Sequence, residues 1–187
     1  GNKRGTNAVD WQTVRAAATQ VASGQYATIG GGNANTASQQ AVTVAGGNQN
    51  DASGSESSIG GGLQNAASGA YTTVGGGRIN NASGLYATIG GGLNNNIAAN
   101  STNSAILGGT LNDLGATTGV TNAVIGGGNN NNILDGANFG AILGGASNNI
   151  NQGTHNTISG GNTNSIGTGN NNAIIGGTNN IVGGNNS

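Results

Sequence analysis

The chain has 187 residues, of which four are lysine or arginine and five are aspartate or glutamate, so its formal net charge is −1. So few basic residues exclude a nucleic-acid-binding surface, which needs lysine or arginine clustered against phosphates. Without cysteine there is no disulfide or thiolate metal site, and no apolar run approaches bilayer length, so we expect no membrane insertion.

The amino-terminal segment, residues 1–21, precedes the repeats, and two interpretations of it are open. Asp10 is suited to an N-cap ahead of three alanines at 16–18, which favours a short helix over residues 10–20. The alternative is a cap or neck docked on the first repeat, because stacked repeats need ends that hide their open edge. We favour the cap, with Trp11 as its plug.

Residues 22–97 repeat every fifteen positions. Ala-Ser-Gly occurs at 22–24, 52–54, 67–69 and 82–84, and Ala-Ser-Gln at 37–39. Between these lie Tyr-Ala-Thr-Ile-Gly-Gly-Gly at 26–32 and 86–92 and Tyr-Thr-Thr-Val-Gly-Gly-Gly at 71–77. The 40 glycines would favour disorder if they were scattered, but at fixed positions they predict a repeat fold.

One β-branched position continues through the less regular repeats of residues 98–187, where the spacing widens to 16–18. A second apolar position follows seven to nine residues later, alanine in the early repeats and larger from Ile97 to Ile181. Two apolar points separated by glycine- and asparagine-rich turns predict one coil with two short strands. The fold class is therefore an all-β parallel β-solenoid of about ten coils of 15–18 residues. We expect its core ladder to comprise Ile29, Val44, Ile59, Val74, Ile89, Ile106, Val124, Ile142, Ile158 and Ile174.

Asparagine tolerates the left-handed backbone region, which suits turns at Asn33, Asn48 and Asn65 and in the tracts 94–96, 129–132 and 170–172. Stacked asparagines can also bond to one another along the axis.

The later repeats are more apolar than the early ones. Leu107, Ile125, Leu143 and Ile175 follow their predicted anchors directly, so we expect the coil interior to cover one face of the strand and a neighbouring chain the other. We interpret this as a change of cross-section near residue 97 within one continuous solenoid. Each early coil buries little more than one Ile or Val, about 1.5–3 kcal/mol, whereas ordering each residue costs about 1 kcal/mol or more. This imbalance favours an oligomer.

Residues 22–35, Ala-Ser-Gly-x-Tyr-Ala-Thr-Ile-Gly-Gly-Gly-x-x-Asn, resemble the head repeats of trimeric autotransporter adhesins and similar repeats of phage and large-virus fibre proteins. Residues 4–13 are similar to the lead-in of such arrays. The resemblance covers residues 21–97 well and the rest loosely. It implies a left-handed parallel β-roll, a homotrimer, and a cell-surface, extracellular or virion fibre that attaches to a host glycan or receptor without catalysis. Family repeats are near fourteen residues, and the longer steps after residue 97 also suit a three-sided left-handed β-helix.

Four aromatic residues are candidate ligand contacts. Tyr26, Tyr71 and Tyr86 occupy the same repeat position and could stack on sugar rings; alternatively they pack across a chain interface or cover the coil edge. Phe139 lies in an insertion, 133–140, of the kind that often carries recognition, although insertions are also simple padding.

Other chemistry is not indicated. His155 is the sole histidine, which favours a solvated corner over a metal or catalytic role. The triple glycines lack the Lys-Ser/Thr and following helix of a phosphate loop, so we expect no cofactor, no metal and no enzyme activity. Two other functions remain open: a self-assembling filament, and an ice- or polysaccharide-binding solenoid whose threonine row is Thr28, Thr43, Thr73 and Thr88.

Overall fold

The computed structural model describes residues 3–115 and 117–184. This part of the chain confirms the predicted all-β parallel solenoid, with about 11 turns and no helix. Two parallel sheets run along it. Sheet 1 contains β1 (Val9–Asp10), β2 (Thr28–Ile29), β4 (Thr43–Val44), β6 (Ser58–Ile59), β8 (Thr73–Val74), β10 (Thr88–Ile89), β12 (Ala105–Ile106), β14 (Val124–Ile125), β16 (Ala141–Ile142), β18 (Thr157–Ile158) and β20 (Ala173–Ile174). Sheet 2 contains β3 (Thr36–Ala37), β5 (Asp51–Ala52), β7 (Ala66–Ala67), β9 (Asn81–Ala82), β11 (Asn96–Ile97), β13 (Asp113–Leu114), β15 (Asn132–Ile133), β17 (Asn149–Ile150), β19 (Ser165–Ile166) and β21 (Ile181–Val182).

Each strand is two residues long, and its side chains alternate, the first outward and the second inward in almost every strand. The inward row of sheet 1 contains nine of the predicted ladder residues. The spacing predicts Val124 as the tenth, but Ile106 and Ile142 both pair with Ile125, and Val124 faces outward beside Ala105 and Ala141. Because two β-branched residues are adjacent here, the sequence alone does not say which of them pairs with Ile106. A shift of one residue in the strand register turns every side chain to the opposite face of the sheet.

The inward row of sheet 2 changes from alanine to larger residues at Ile97, where the change of cross-section is predicted. The pairing ends this row with Val182; the predicted Ile181 is exposed. Sheet 1 continues across residues 21 and 97, whereas sheet 2 begins at Thr36 and continues across residue 97, so the architecture does not change at residue 97.

The two corners of the coil differ in length variation. Corner 1 connects a sheet 1 strand to the following sheet 2 strand, and corner 2 connects that strand to the next coil. In every coil that contributes a strand to both sheets, the inward residue of sheet 2 lies eight positions after the inward residue of sheet 1, as from Ile29 to Ala37 and from Ile125 to Ile133. From sheet 2 to the next sheet 1 residue, the step is seven positions after Ala37 and eleven after Leu114. All added residues therefore lie in corner 2.

An inward row of asparagines explains why corner 1 has constant length. Asn80 is typical: its Nδ2 donates to the carbonyls of Gly76 (2.9 Å) and Gly92 (3.0 Å) and to Oδ1 of Asn65 (3.2 Å). Its Oδ1 accepts from the backbone N–H (3.0 Å) and Nδ2 (3.1 Å) of Asn95. Each amide thus binds its own corner and both adjacent coils. The row comprises Asn35, Asn50, Asn65, Asn80, Asn95, Asn112, Asn131, Asn148, Asn164 and Asn180.

The first coil closes the stack with polar groups. Asp10 takes the inward place that Ile29 has in the next coil, and it pairs with Arg15 at 2.7 Å. Gln12 begins the asparagine row, because its Oε1 accepts from the N–H of Asn35 at 2.8 Å. The prediction of Trp11 as a plug is wrong: Trp11 is 72% exposed, because it follows the inward Asp10 and therefore faces outward. Nor do residues 10–20 form the helix considered above.

Candidate ligand-binding corner

Corner 2 presents one side chain per coil from a left-handed backbone position. The φ angles along this corner row lie between +52° and +59°. From Tyr26 onward, the backbone N–H of each row residue donates to a carbonyl of the preceding coil, as Tyr86 does to Ala70 at 3.1 Å. The row is Asn7, Tyr26, Ala41, Glu56, Tyr71, Tyr86, Asn103, Asn122, Phe139, His155 and Asn171.

The four predicted aromatic contacts all lie in this corner row. Tyr71 and Tyr86 stack with ring centroids 5.0 Å apart and an interplanar angle of 17°. Phe139, predicted from its insertion alone, stacks on His155 at 4.7 Å and 2°. His155 is exposed at the corner and belongs to the aromatic row, which the spacing did not indicate because the coils before it have variable lengths. Tyr26 lies apart from both pairs.

The backbone does not explain why these positions carry aromatic side chains. A left-handed conformation costs an L-residue about 1–2 kcal/mol, and asparagine tolerates it best. Asparagine does occupy the row at Asn7, Asn103 and Asn122. Stacking contributes about 0.5–1.5 kcal/mol and offsets the cost for the two pairs. Tyr26 has no such pair, since Asn7 and Ala41 are its row neighbours.

The stacked pair at Tyr71 and Tyr86 forms a mixed polar and apolar patch. Both tyrosines are about half exposed, and Leu85, which precedes Tyr86, is also exposed. Glu56 occupies the adjacent row position on the other side of Tyr71. A ring face, a phenolic hydroxyl and a carboxylate together suit a sugar ring, which has an apolar face and hydroxyl donors.

A second feature is the clamp formed by Asp135 on the inserted loop of the preceding coil. Its carboxylate accepts from Thr117 Oγ1 and from the N–H groups of Thr117 (2.9 Å) and Gly119 (3.0 Å). These hydrogen bonds hold the pKa of Asp135 well below its ordinary value. Asp135 also borders an open groove of about 390 Å³ lined by Leu134, Asn151, Gln152, Gly167 and Thr168. Because the carboxylate already binds the loop, we interpret it as structural.

The described residues contain no group of three or more His, Asp or Glu side chains placed to hold a metal ion. In the same part of the chain, no helix has the length and apolar character needed to cross a membrane. No family model matches the chain, and no curated protein matches it.

Proposed function

We propose that this chain is a rod-like segment of a fibre on a cell or virion surface, and that it attaches to host glycans through the aromatic corner row. The proposed attachment is supported by the aromatic residues at left-handed positions of the corner row. Asparagine suits this backbone conformation better and occupies the same position in other coils. The rod supports the structural role, because stacked coils hold side chains at a fixed axial repeat of about 4.8 Å.

In this proposal several copies lie side by side, and the resemblance to trimeric adhesin heads gives three as their number. The thin core supports lateral packing, because the early coils bury only alanine on the inward side of sheet 2. The proposed activity is binding without catalysis, in an extracellular setting.

The test is binding of the intact segment to an array of immobilised glycans, followed by the double variant Tyr71→Asn with Tyr86→Asn. Asparagine occupies the same row position in other coils, so the backbone should be preserved. We expect the variant to lose binding by about tenfold or more, equivalent to about 1.4 kcal/mol or more. Leu111→Asn is the matched control, because Leu111 is an exposed left-handed residue in corner 1. Equal binding by the parent and the double variant would remove the corner from the proposal.

The two alternatives have less support. End-to-end filaments require an open first coil, whereas Asp10 and Arg15 fill that position with a buried carboxylate and its partner. The threonine row is in register from Thr28 to Thr88, with Ser58 in its midst, but Ala105, Val124 and Ala141 replace it in the following coils. An ice- or polysaccharide-binding face would extend over only half of the rod.

A further inference from the structure

The outward surface of sheet 1 carries no charged side chain in any of its eleven strands. We call this surface the sheet 1 face. It consists of two rows, the first residue of each strand and the residue after each strand. The first row is Val9, Thr28, Thr43, Ser58, Thr73, Thr88, Ala105, Val124, Ala141, Thr157 and Ala173. The second row is Trp11, Gly30, Ala45, Gly60, Gly75, Gly90, Leu107, Gly126, Leu143, Ser159 and Ile175.

Large apolar side chains project from the second row without cover. Leu107 is 61% exposed, Leu143 57% and Ile175 81%. The other outward surfaces carry charges: Asp51 and Asp113 lie on the sheet 2 face, Arg78 on corner 1, and Glu56 on corner 2. The sheet 1 face is therefore the one side of the described rod on which two identical copies meet without bringing like charges together.

We infer that the sheet 1 face is the surface through which copies of this chain pack, side by side and parallel, with equivalent coils at the same level. The occupant of the face is a second copy of the chain. This inference rests on the proposed fibre and identifies which side of each rod is used.

The parallel register follows from the distribution of residues along the face. Coils 2–6 carry threonine or serine with glycine or alanine, whereas Leu107, Leu143 and Ile175 lie in coils 7, 9 and 11. Coil 1 carries the exposed Trp11, and coil 10 carries Thr157 and Ser159. Parallel packing in register places apolar coils on apolar coils and hydroxyls on hydroxyls. Antiparallel packing along the whole rod would bury hydroxyls against leucines, and limiting it to the apolar half would reduce the contact by about half.

The area also favours contact along the whole rod. Eleven strands spaced about 4.8 Å apart make a face about 50 Å long, and two outward rows make it about 10 Å wide. Two copies then bury about 1,000 Å² in total, which is close to the lower limit for a specific interface. Contact over half the length falls below that limit.

Cross-linking of single-cysteine variants tests both the face and the register, because the native chain has no cysteine. Ala105→Cys and Ala141→Cys lie two coils apart on the sheet 1 face, and Ala66→Cys is the matched control on the sheet 2 face. With a short bis-maleimide, we expect both face variants to form covalent dimers and the control to stay monomeric. Self-cross-linking at both positions requires parallel chains in register. Cross-linking of neither face variant, or of the control alone, would overturn the inference.

A second measurement gives the solution mass of charged variants. In register, Leu143→Asp places like charges opposite one another, so its mass should fall to that of one chain at concentrations where the parent is multimeric. Leu93→Asp, on corner 1, should keep the parent mass. A parent that has the mass of one chain would also overturn the packing and leave the face open to another ligand. Glycan binding uses corner 2, so it tests the proposed attachment independently of the packing. If glycans bind but the face variants do not cross-link, the attachment stands and the packing is wrong. If the face variants cross-link but glycans do not bind, the packing stands and the attachment is wrong.

Discussion

Removing one amide from the asparagine row should destabilise the rod far more than its small size suggests. Asn80→Ala deletes five hydrogen bonds and leaves two groups without these partners, the N–H of Asn95 and the carbonyl of Gly76. The carbonyl of Gly92 keeps a partner, because the N–H of Arg78 also donates to it. Each unsatisfied buried group costs about 1–3 kcal/mol, so we expect a loss of about 4 kcal/mol in the free energy of unfolding.

Thermal unfolding followed by circular dichroism measures this loss. For a chain of this size, about 4 kcal/mol corresponds to a decrease in Tm of roughly 8–16 °C. The matched control is Asn48→Ala, at an exposed position of corner 1, where we expect a change within about 0.5 kcal/mol. If the two variants unfold at the same temperature, the asparagine row does not stabilise the fold.

Two further predictions concern register and ionisation. Ile125→Ala should lower the free energy of unfolding by about 2–5 kcal/mol because Ile125 is buried. Val124→Ala should lower it by less than about 1.5 kcal/mol because Val124 is only half-buried. Denaturant titration measures both variants, and the opposite order would place Val124 in the core. Asp135 should titrate below an ordinary aspartate because hydrogen bonds favour its charged form, and Asp51 above an ordinary aspartate because partial burial raises its pKa. Since the folded pKa of Asp135 is lowered, its stabilisation of the 117–119 loop is present above the unfolded-state pKa and is lost as the pH falls through the folded one. Carboxyl NMR titration measures both residues, and the reverse order would contradict the assigned contacts.

The sequence predicted the repeat architecture well, because a fixed period reports directly on stacking. The sequence-based prediction failed where the repeat period does not distinguish between neighbouring residues. At Val124 and Ile125 two equivalent residues are adjacent, and only pairing with Ile106 decides between them. Asn65, expected at a left-handed turn, faces inward instead, and the preceding Gln64 has the positive φ. Composition shows that asparagine suits turns, but not which asparagine of a turn makes the inter-coil contacts.

The candidate site was predicted only in part, for a related reason. The tyrosines are separated by multiples of fifteen residues and were identified from spacing alone. Phe139 and His155 occupy the same corner row, but insertions in corner 2 of the preceding coils hide their equivalence. Gln12 was not predicted at all. It lies two positions after the inward Asp10, whereas Asn35 lies six after Ile29, so no period relates the two amides.

The invariant length of corner 1 leads to a last prediction that separates stability from recognition. Asn80 bonds to the carbonyl four residues before it and to both adjacent coils, so one glycine inserted between Gly77 and Arg78 would pull the amide out of all three contacts. We expect a loss of at least about 4 kcal/mol, as for Asn80→Ala. The same glycine inserted between Gly84 and Leu85, in corner 2, should cost less than about 1 kcal/mol, because longer loops add little closure entropy and other coils already contain up to four more residues there. Denaturant unfolding measures both variants, and equal losses would refute the distinction. Corner 2 also carries the aromatic row, so the insertion should displace Tyr86 from Tyr71 and weaken glycan binding while the fold persists.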